Sequence, residues 1–287
     1  MYFHFLLISL GLLLLLLLAI YYIDSSSFRS SSSAAALVVH PPSPPLATSM
    51  TPKRTFPKDA VCVFWTGGFD SSFRVCQLVI MQNKKVQPIY ASAVIDNEPS
   101  NATRRHNMKQ ERDAMRRIRE MIAFNFPTFS SLLLETYEID EVGTVDEDIQ
   151  RSMQALYEKQ KMRRPVCQYL ALAQITRSLQ RDIEVAVEYA PEHSMMYRSI
   201  HTSLTCAPIR AGSGDVGRLL PFEQLEEKNL EIFRRFVFPT ITLSKEKMAE
   251  IARQNGFLSM LKESFSCWYP VNGKACGMCI MCKERIL

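Results

Sequence analysis

The sequence has little excess charge of one sign, with 34 Lys and Arg against 29 Asp and Glu in 287 residues. Part of that excess lies near the N-terminus, where Arg29, Lys53, Arg54 and Lys58 face only Asp24. This leaves 30 basic against 28 acidic side chains beyond residue 58. A protein held on nucleic acid by phosphate charge needs a denser basic field, so stable nucleic-acid binding is not expected. The Walker pattern GxxxxGK[ST] is absent, which argues against γ-phosphate transfer of the P-loop kind. The cysteines do not form a secreted disulfide framework: four of the eight crowd the C-terminus and the rest are scattered, which fits a reducing compartment. With 47% hydrophobic and 22% charged residues, wholesale disorder and fibrous repeats are excluded as well.

One long apolar run is present. Residues 5–23 are interrupted only by Ser9 and Gly11, and as a helix they would measure about 29 Å, roughly a bilayer core. No Lys or Arg precedes the run and no small-x-small cleavage site closes it, so an anchor is favoured over a cleaved signal. The cations all follow it, which by the positive-inside tendency puts the rest of the chain in the cytoplasm. Residues 24–58 are Ser- and Pro-rich and read as a linker. The expected organisation is therefore an anchor over 1–23, a linker over 24–58 and a folded domain over 59–287; a start at Met50 would remove the anchor.

Residues 61–65, Val-Cys-Val-Phe-Trp, read as a buried parallel strand, and they end abruptly in Thr66-Gly67-Gly68-Phe69-Asp70-Ser71-Ser72 before apolar residues resume at helical spacing. Adjacent glycines let backbone N–H groups close on an anion, and the hydroxyls of Thr66, Ser71 and Ser72 add donors at the positive end of a helix. A pyrophosphate suits such a cradle. Downstream, strands are expected over 86–95, 131–139 and 183–189, and helices over 103–124, 145–162 and 165–180. This alternation predicts an α/β fold with a doubly wound parallel sheet, whose ligands bind at the carboxyl ends of the strands.

Cys267, Cys276, Cys279 and Cys282 are spaced by eight, two and two residues, with Asn272-Gly273 as a turn between the first two. Four thiolates at this spacing can surround one zinc ion in a closed structural site. An iron–sulfur cluster and a redox disulfide pair are the alternatives.

TGGFDSS resembles the SGGxDS loop of the PP-loop ATP pyrophosphatases, with Thr66 in place of the first serine. The C-terminal text is similar to the ending of 7-cyano-7-deazaguanine synthases: a capped helix from Ser244, then Ser266-Cys267-Trp268, then Cys276-Gly277-Met278-Cys279-Ile280-Met281-Cys282-Lys283-Glu284-Arg285. The resemblance frames residues 59–287. It implies that Thr66, Gly67, Gly68, Phe69, Asp70, Ser71 and Ser72 hold ATP, with Asp70 and Ser71 as catalytic residues. It also implies magnesium as the companion ion, structural zinc on Cys267, Cys276, Cys279 and Cys282, and a carboxylated 7-deazaguanine and ammonia as substrates. A homodimer is compatible with it.

The family's base-reading segment, roughly GxNxxDxxxYPDCR, reads here as Glu188-Tyr189-Ala190-Pro191-Glu192-His193-Ser194-Met195-Met196-Tyr197-Arg198, where only the Tyr is kept, as Tyr197, with an Arg directly after it. Glu188, Glu192, Tyr197 and Arg198 are accordingly the substrate candidates. Two further readings stand beside this one. One is a tRNA-base thiolase using Cys167 or Cys206; the other is a membrane-tethered ATP-binding scaffold without catalysis.

Overall fold

The computed structural model describes residues 56–92, 107–159, 167–192, 194–208 and 215–286. The expected anchor over 1–23 and most of the linker lie outside these residues. Among the described residues no helix is long and apolar enough to cross a membrane.

Strand β1, Val61–Phe64, forms where the apolar run allows a strand to be covered on both faces. It pairs in parallel with β2, Val86–Ala91, on one side and with β4, Ile183–Glu184, on the other. β3, Tyr137–Ile139, extends the sheet beyond β2, and β7, Phe236–Val237, extends it beyond β4. The resulting parallel sheet has five strands in the order β3-β2-β1-β4-β7. Alternation along β1 sends Cys62 and Phe64 into one hydrophobic core, while Val63 and the following Trp65 enter the other. Helices cover both faces, as doubly wound folds require.

Helix α1, Phe69–Cys76, carries straight on into a π-helical turn over Gln77–Met81. α2, Met108–Asn125, packs Ala114, Met115, Ile118 and Ile122 inward at helical spacing, and α6, Lys245–Gln254, and α7, Leu258–Lys262, complete that face. The opposite face is covered by α3, Glu147–Lys159, α4, Cys167–Leu179, and α5, Met195–Ile200. α6 starts as its sequence requires: Ser244 Oγ accepts from the Lys247 amide at 3.3 Å, and Gly256 at φ +78° follows its end.

The structure differs from the expected elements at several strand boundaries. The third strand is confined to Tyr137–Ile139 because a 3-10 turn, Pro127–Leu132, occupies the start of the expected run. β4 has ladder partners only over Ile183–Glu184. Beyond it Val185 N still donates to Val237 O at 2.8 Å and Tyr189 N to Leu243 O at 2.8 Å, so the chain stays tied to the β7 side as it leaves the sheet. A separate antiparallel hairpin, β5 (Leu204–Pro208) with β6 (Asp215–Leu219), had no counterpart in the sequence reading.

Arg74 of α1 ties the first β-α unit to β4. Its Nε and Nη2 donate to the two carboxylate oxygens of Glu184 at 2.7 Å each, with side-chain exposures of 3% and 10%. A bidentate pair this deep fixes the helix relative to the strand, since losing either partner would strand a buried charge.

Candidate functional site

In a sheet ordered 3-2-1-4-7, the strand order reverses between β1 and β4, and ligands of such folds bind outside the carboxyl ends at that reversal. The glycine loop following β1 and the segment following β4 meet there.

The loop has the backbone its sequence demands. Gly67 adopts φ +70°, and a Cβ at that position would stand 2.6 Å from the carbonyl oxygen of Glu111 in α2. Only glycine lets the loop lie so close to that helix. The remaining groups are loosely engaged. Gly68 N points at Thr66 Oγ1 at 3.4 Å, Thr66 N at Ser71 Oγ at 3.4 Å, and Phe69 N at Ser266 Oγ at 3.4 Å. Contacts of this length are weak, so these donors and hydroxyls remain available to an anion at the N-terminus of α1. Ser72 is different: its Oγ accepts from the Trp65 indole at 3.0 Å within the core, and its amide donates to Gly68 O at 3.0 Å. Of the three hydroxyls expected at the loop, that of Ser72 is committed to the core, while Thr66 Oγ1 and Ser71 Oγ face each other at 3.4 Å. The Phe69 side chain is buried in the core.

Asp70 sits at the centre of a charged cluster. As a residue it is partly exposed, yet its Oδ1 is sealed from solvent with no hydrogen-bond partner among the described residues. Burial, reinforced by the nearby carboxylates of Glu188 and Glu284 and opposed by Lys245, pushes the Asp70 carboxyl up to about 7. Lys245, the first residue of α6, donates from Nζ to Glu188 Oε1 at 2.8 Å and lies 3.6 Å from Glu284 Oε2. Burial alone would lower the Lys245 ammonium, but Asp70, Glu188 and Glu284 hold it above its ordinary value. Tyr169 of α4 faces the same charges, and burial beside Asp70 and Glu188 pushes its phenol up. A sealed, unpartnered carboxylate oxygen beside a second carboxylate is a hard-oxygen donor set of the kind magnesium takes. Asp70 and Glu188 are the residues that would hold it.

The substrate candidates divide. Glu188 belongs to the cluster. Tyr197 is buried in a ring stack, 5.2 Å from Tyr189 and 4.8 Å from His201 between ring centres, so it supports neighbours rather than meeting a ligand directly. Arg198 Nη1 donates to the carbonyl of Glu192 at 2.8 Å, which makes this pair a helix-start contact on the exposed side. Tyr189, about half exposed beside Glu188, is the ring that fronts this edge, and the sequence reading had not singled it out.

The four C-terminal cysteines come together. Their sulfur atoms all lie within 4.8 Å of one another, with Cys279 Sγ 3.5 Å from Cys282 Sγ and Cys276 Sγ 3.9 Å from Cys282 Sγ. Four sulfurs at a zinc–sulfur distance of about 2.3 Å would be spaced by roughly 3.8 Å, so the cluster suits one tetrahedral metal ion. Backbone amides point at the sulfurs as well. Cys276 N donates to Cys267 Sγ at 3.2 Å, while the amides of Cys279 and Met278 pull the Cys276 thiol down to about 6. The Asn272-Gly273 turn forms as expected, with both residues at positive φ (49° and 77°) and Val271 bridged to Lys274. The cluster can bind a metal such as zinc.

This knuckle is tied to the glycine loop from both sides. Before it, Phe265 N donates to Gly67 O at 2.9 Å; after it, Glu284 reaches Lys245. Between them lies a small cleft, with Phe69, Lys245, Ser266, Glu284 and Arg285 among its walls. Cys206, one of the two cysteines of the thiolase reading, lies exposed on β5, and partial burial with the Asp215 carboxylate pushes its thiol up, away from the reactive thiolate. The four-residue helix α8, Ile280–Lys283, carries Cys282.

Comparison of the chain with known protein families and with curated proteins found no match.

Proposed function

We propose that this protein is an ATP-dependent enzyme that activates a carboxylate by adenylation, releasing pyrophosphate, and that its substrate is a carboxylated 7-deazaguanine converted with ammonia to the nitrile. The observation that carries this reading is the placement of the TGGFDSS loop at the strand-order reversal of a parallel sheet, beside a sealed carboxylate and a buried lysine.

The substrate carboxylate oxygen attacks the α-phosphorus of ATP, the α–β bridging P–O bond breaks, and pyrophosphate departs with that electron pair. Ammonia then displaces AMP and loses a proton, giving the amide. The amide oxygen attacks a second ATP in the same way, and expulsion of AMP with loss of the remaining N–H protons leaves the nitrile. The chain's own part is positioning and charge control. The amides of Gly68 and Phe69 and the hydroxyls of Thr66 and Ser71 hold the departing pyrophosphate, and Lys245 stands beside them. Magnesium, held by Asp70 and Glu188, supplies neutralisation of phosphate charge. The Asp70 carboxyl, raised chiefly by its burial, would be held as the carboxylate by a bound divalent cation. The thiolates of Cys267, Cys276, Cys279 and Cys282 hold zinc, and this folds the tail against the loop. Sulfurs this close favour a single ion over a multi-iron cluster, which would spread them farther apart.

The test is incubation of the zinc-loaded full chain with ATP, magnesium, ammonium and 7-carboxy-7-deazaguanine, followed by mass analysis. AMP, pyrophosphate and the 7-cyano base should form, and metal analysis should return one zinc per chain. ADP as the product overturns the adenylation reading; AMP formed only with tRNA and a sulfur donor redirects it to thiolation.

A further inference from the structure

Lys245 is ringed by carboxylates supplied by three separate parts of the chain. Glu188 comes from the end of β4 and touches Nζ at 2.8 Å; Glu284 comes from the tail beyond the last cysteine and lies at 3.6 Å. Asp70 comes from the glycine loop and interacts electrostatically with all three. Arg285 also lines the cleft, but it is exposed, with Nη2 3.4 Å from the Lys262 carbonyl. Glu188 and Glu284 thus both lie on the Lys245 ammonium and take up its charge within the cleft.

A polyphosphate entering alone therefore finds the lysine beside the loop already taken up by two carboxylates. The same anion carrying a divalent cation does not, because the cation takes up the carboxylates while the phosphate oxygens take up the lysine and the loop donors. Asp70 stands in the first turn of α1 and Glu188 four residues beyond β4. Glu284 comes from the tail, two residues after the last cysteine of the knuckle.

We propose that Glu284 is a specificity-determining residue of the phosphate site: as the tail carboxylate on Lys245, it makes the cleft reject a metal-free polyphosphate and accept the same anion as its divalent-cation complex. This rests on the reading of residues 66–72 as a phosphate loop. Removing the Glu284 charge leaves Lys245 with one contacting carboxylate in place of two, so more of the ammonium's charge is left for a bare anion. The metal-bound anion gains little, because its cation had already satisfied the carboxylates.

The experiment titrates inorganic pyrophosphate into the full, zinc-loaded chain by calorimetry, with and without magnesium. Buffers are cleared of divalent ions on a chelating resin, because a soluble chelator would strip the thiolate-bound metal. Wild type should bind pyrophosphate at least about fivefold more tightly with magnesium than without. Glu284→Gln should strengthen metal-free binding by about fivefold and change the magnesium-supported affinity less than about twofold, so that the discrimination largely disappears. Glu284→Asp keeps the charge and should keep the discrimination, while zinc content reports that each variant retains the knuckle. An unchanged ratio in Glu284→Gln, an equal weakening of both affinities, or a loss of discrimination in Glu284→Asp overturns the proposal. If pyrophosphate binds none of these proteins with or without magnesium, the phosphate-loop reading itself falls, an outcome distinct from binding that ignores residue 284.

Discussion

Asp70→Asn removes a carboxylate that folding buries, sealing one of its oxygens from water within electrostatic reach of Glu188 and Glu284. In the unfolded chain this group has a pKa near 3.8, and in the folded protein it stands at about 7. The folded state therefore binds more protons than the unfolded state between these values, and linkage makes stability fall as pH rises through that window. Below about pH 4 both states are protonated and the penalty is absent; above about 7 it is fully present. A shift of roughly three units at about 1.4 kcal/mol each sets an upper bound of about 4 kcal/mol. Partial exposure of the side chain reduces this to about 2–4 kcal/mol.

Asn has the same shape and cannot ionise, so the variant should match wild type near pH 4 and exceed it at pH 8. For a domain of this size that is an increase in Tm of about 5–12 °C at pH 8. The assay is thermal unfolding of both proteins, zinc-loaded, from pH 4 to pH 8, with AMP release measured in parallel. The variant should be more stable and inactive, since the carboxylate that destabilises the fold is the one proposed to hold the metal–nucleotide complex. A Tm difference that is constant across the pH range, or a variant less stable at pH 8, refutes this account of the cluster.

Two further perturbations address the framework behind the site. Gly67→Ala combines a left-handed backbone with a Cβ 2.6 Å from the Glu111 carbonyl, and should cost about 2–4 kcal/mol in denaturant unfolding while weakening nucleotide binding. Glu184→Gln strands the buried Arg74 guanidinium and should cost about 3–5 kcal/mol; the paired change Arg74→Met with Glu184→Leu should recover most of that stability, as measured by the shift in denaturation midpoint.

The parallel sheet was legible because its strands are short apolar runs punctuated by helices, and β1 with its glycine loop forms where the sequence places it. Strand ends were less legible. Val185 to Tyr189 is as apolar as a strand at its start, but after Glu184 the chain keeps isolated hydrogen bonds without a ladder partner, and no local pattern marks that change. The hairpin over Leu204–Pro208 and Asp215–Leu219 escaped notice because Pro, Gly, Asp and Arg dilute its alternation. In the site, Asp70 was singled out only by the family resemblance, while the glycine pair, Thr66 and the four cysteines could be read from residue type and spacing. Ser72 could not, because its hydroxyl turns inward to a tryptophan seven positions earlier. Lys245 reads as part of a capped helix and Glu284 as part of the C-terminal text. That both Glu188 and Glu284 lie on Lys245 depends on tertiary packing and is absent from any window of sequence.

The hydrogen bond from Phe265 to Gly67 and the contact between Phe69 and Ser266 join groups almost two hundred positions apart. On a ribosome adding about 5–20 residues each second, the glycine loop emerges on the order of 10–40 s before the residues that wall it in. For most of that interval the nascent chain has the loop but neither Lys245 nor the knuckle. On the proposed reading, a chain still short of these residues would hold the loop without the side chains that wall its cleft, so anion binding would wait on the tail.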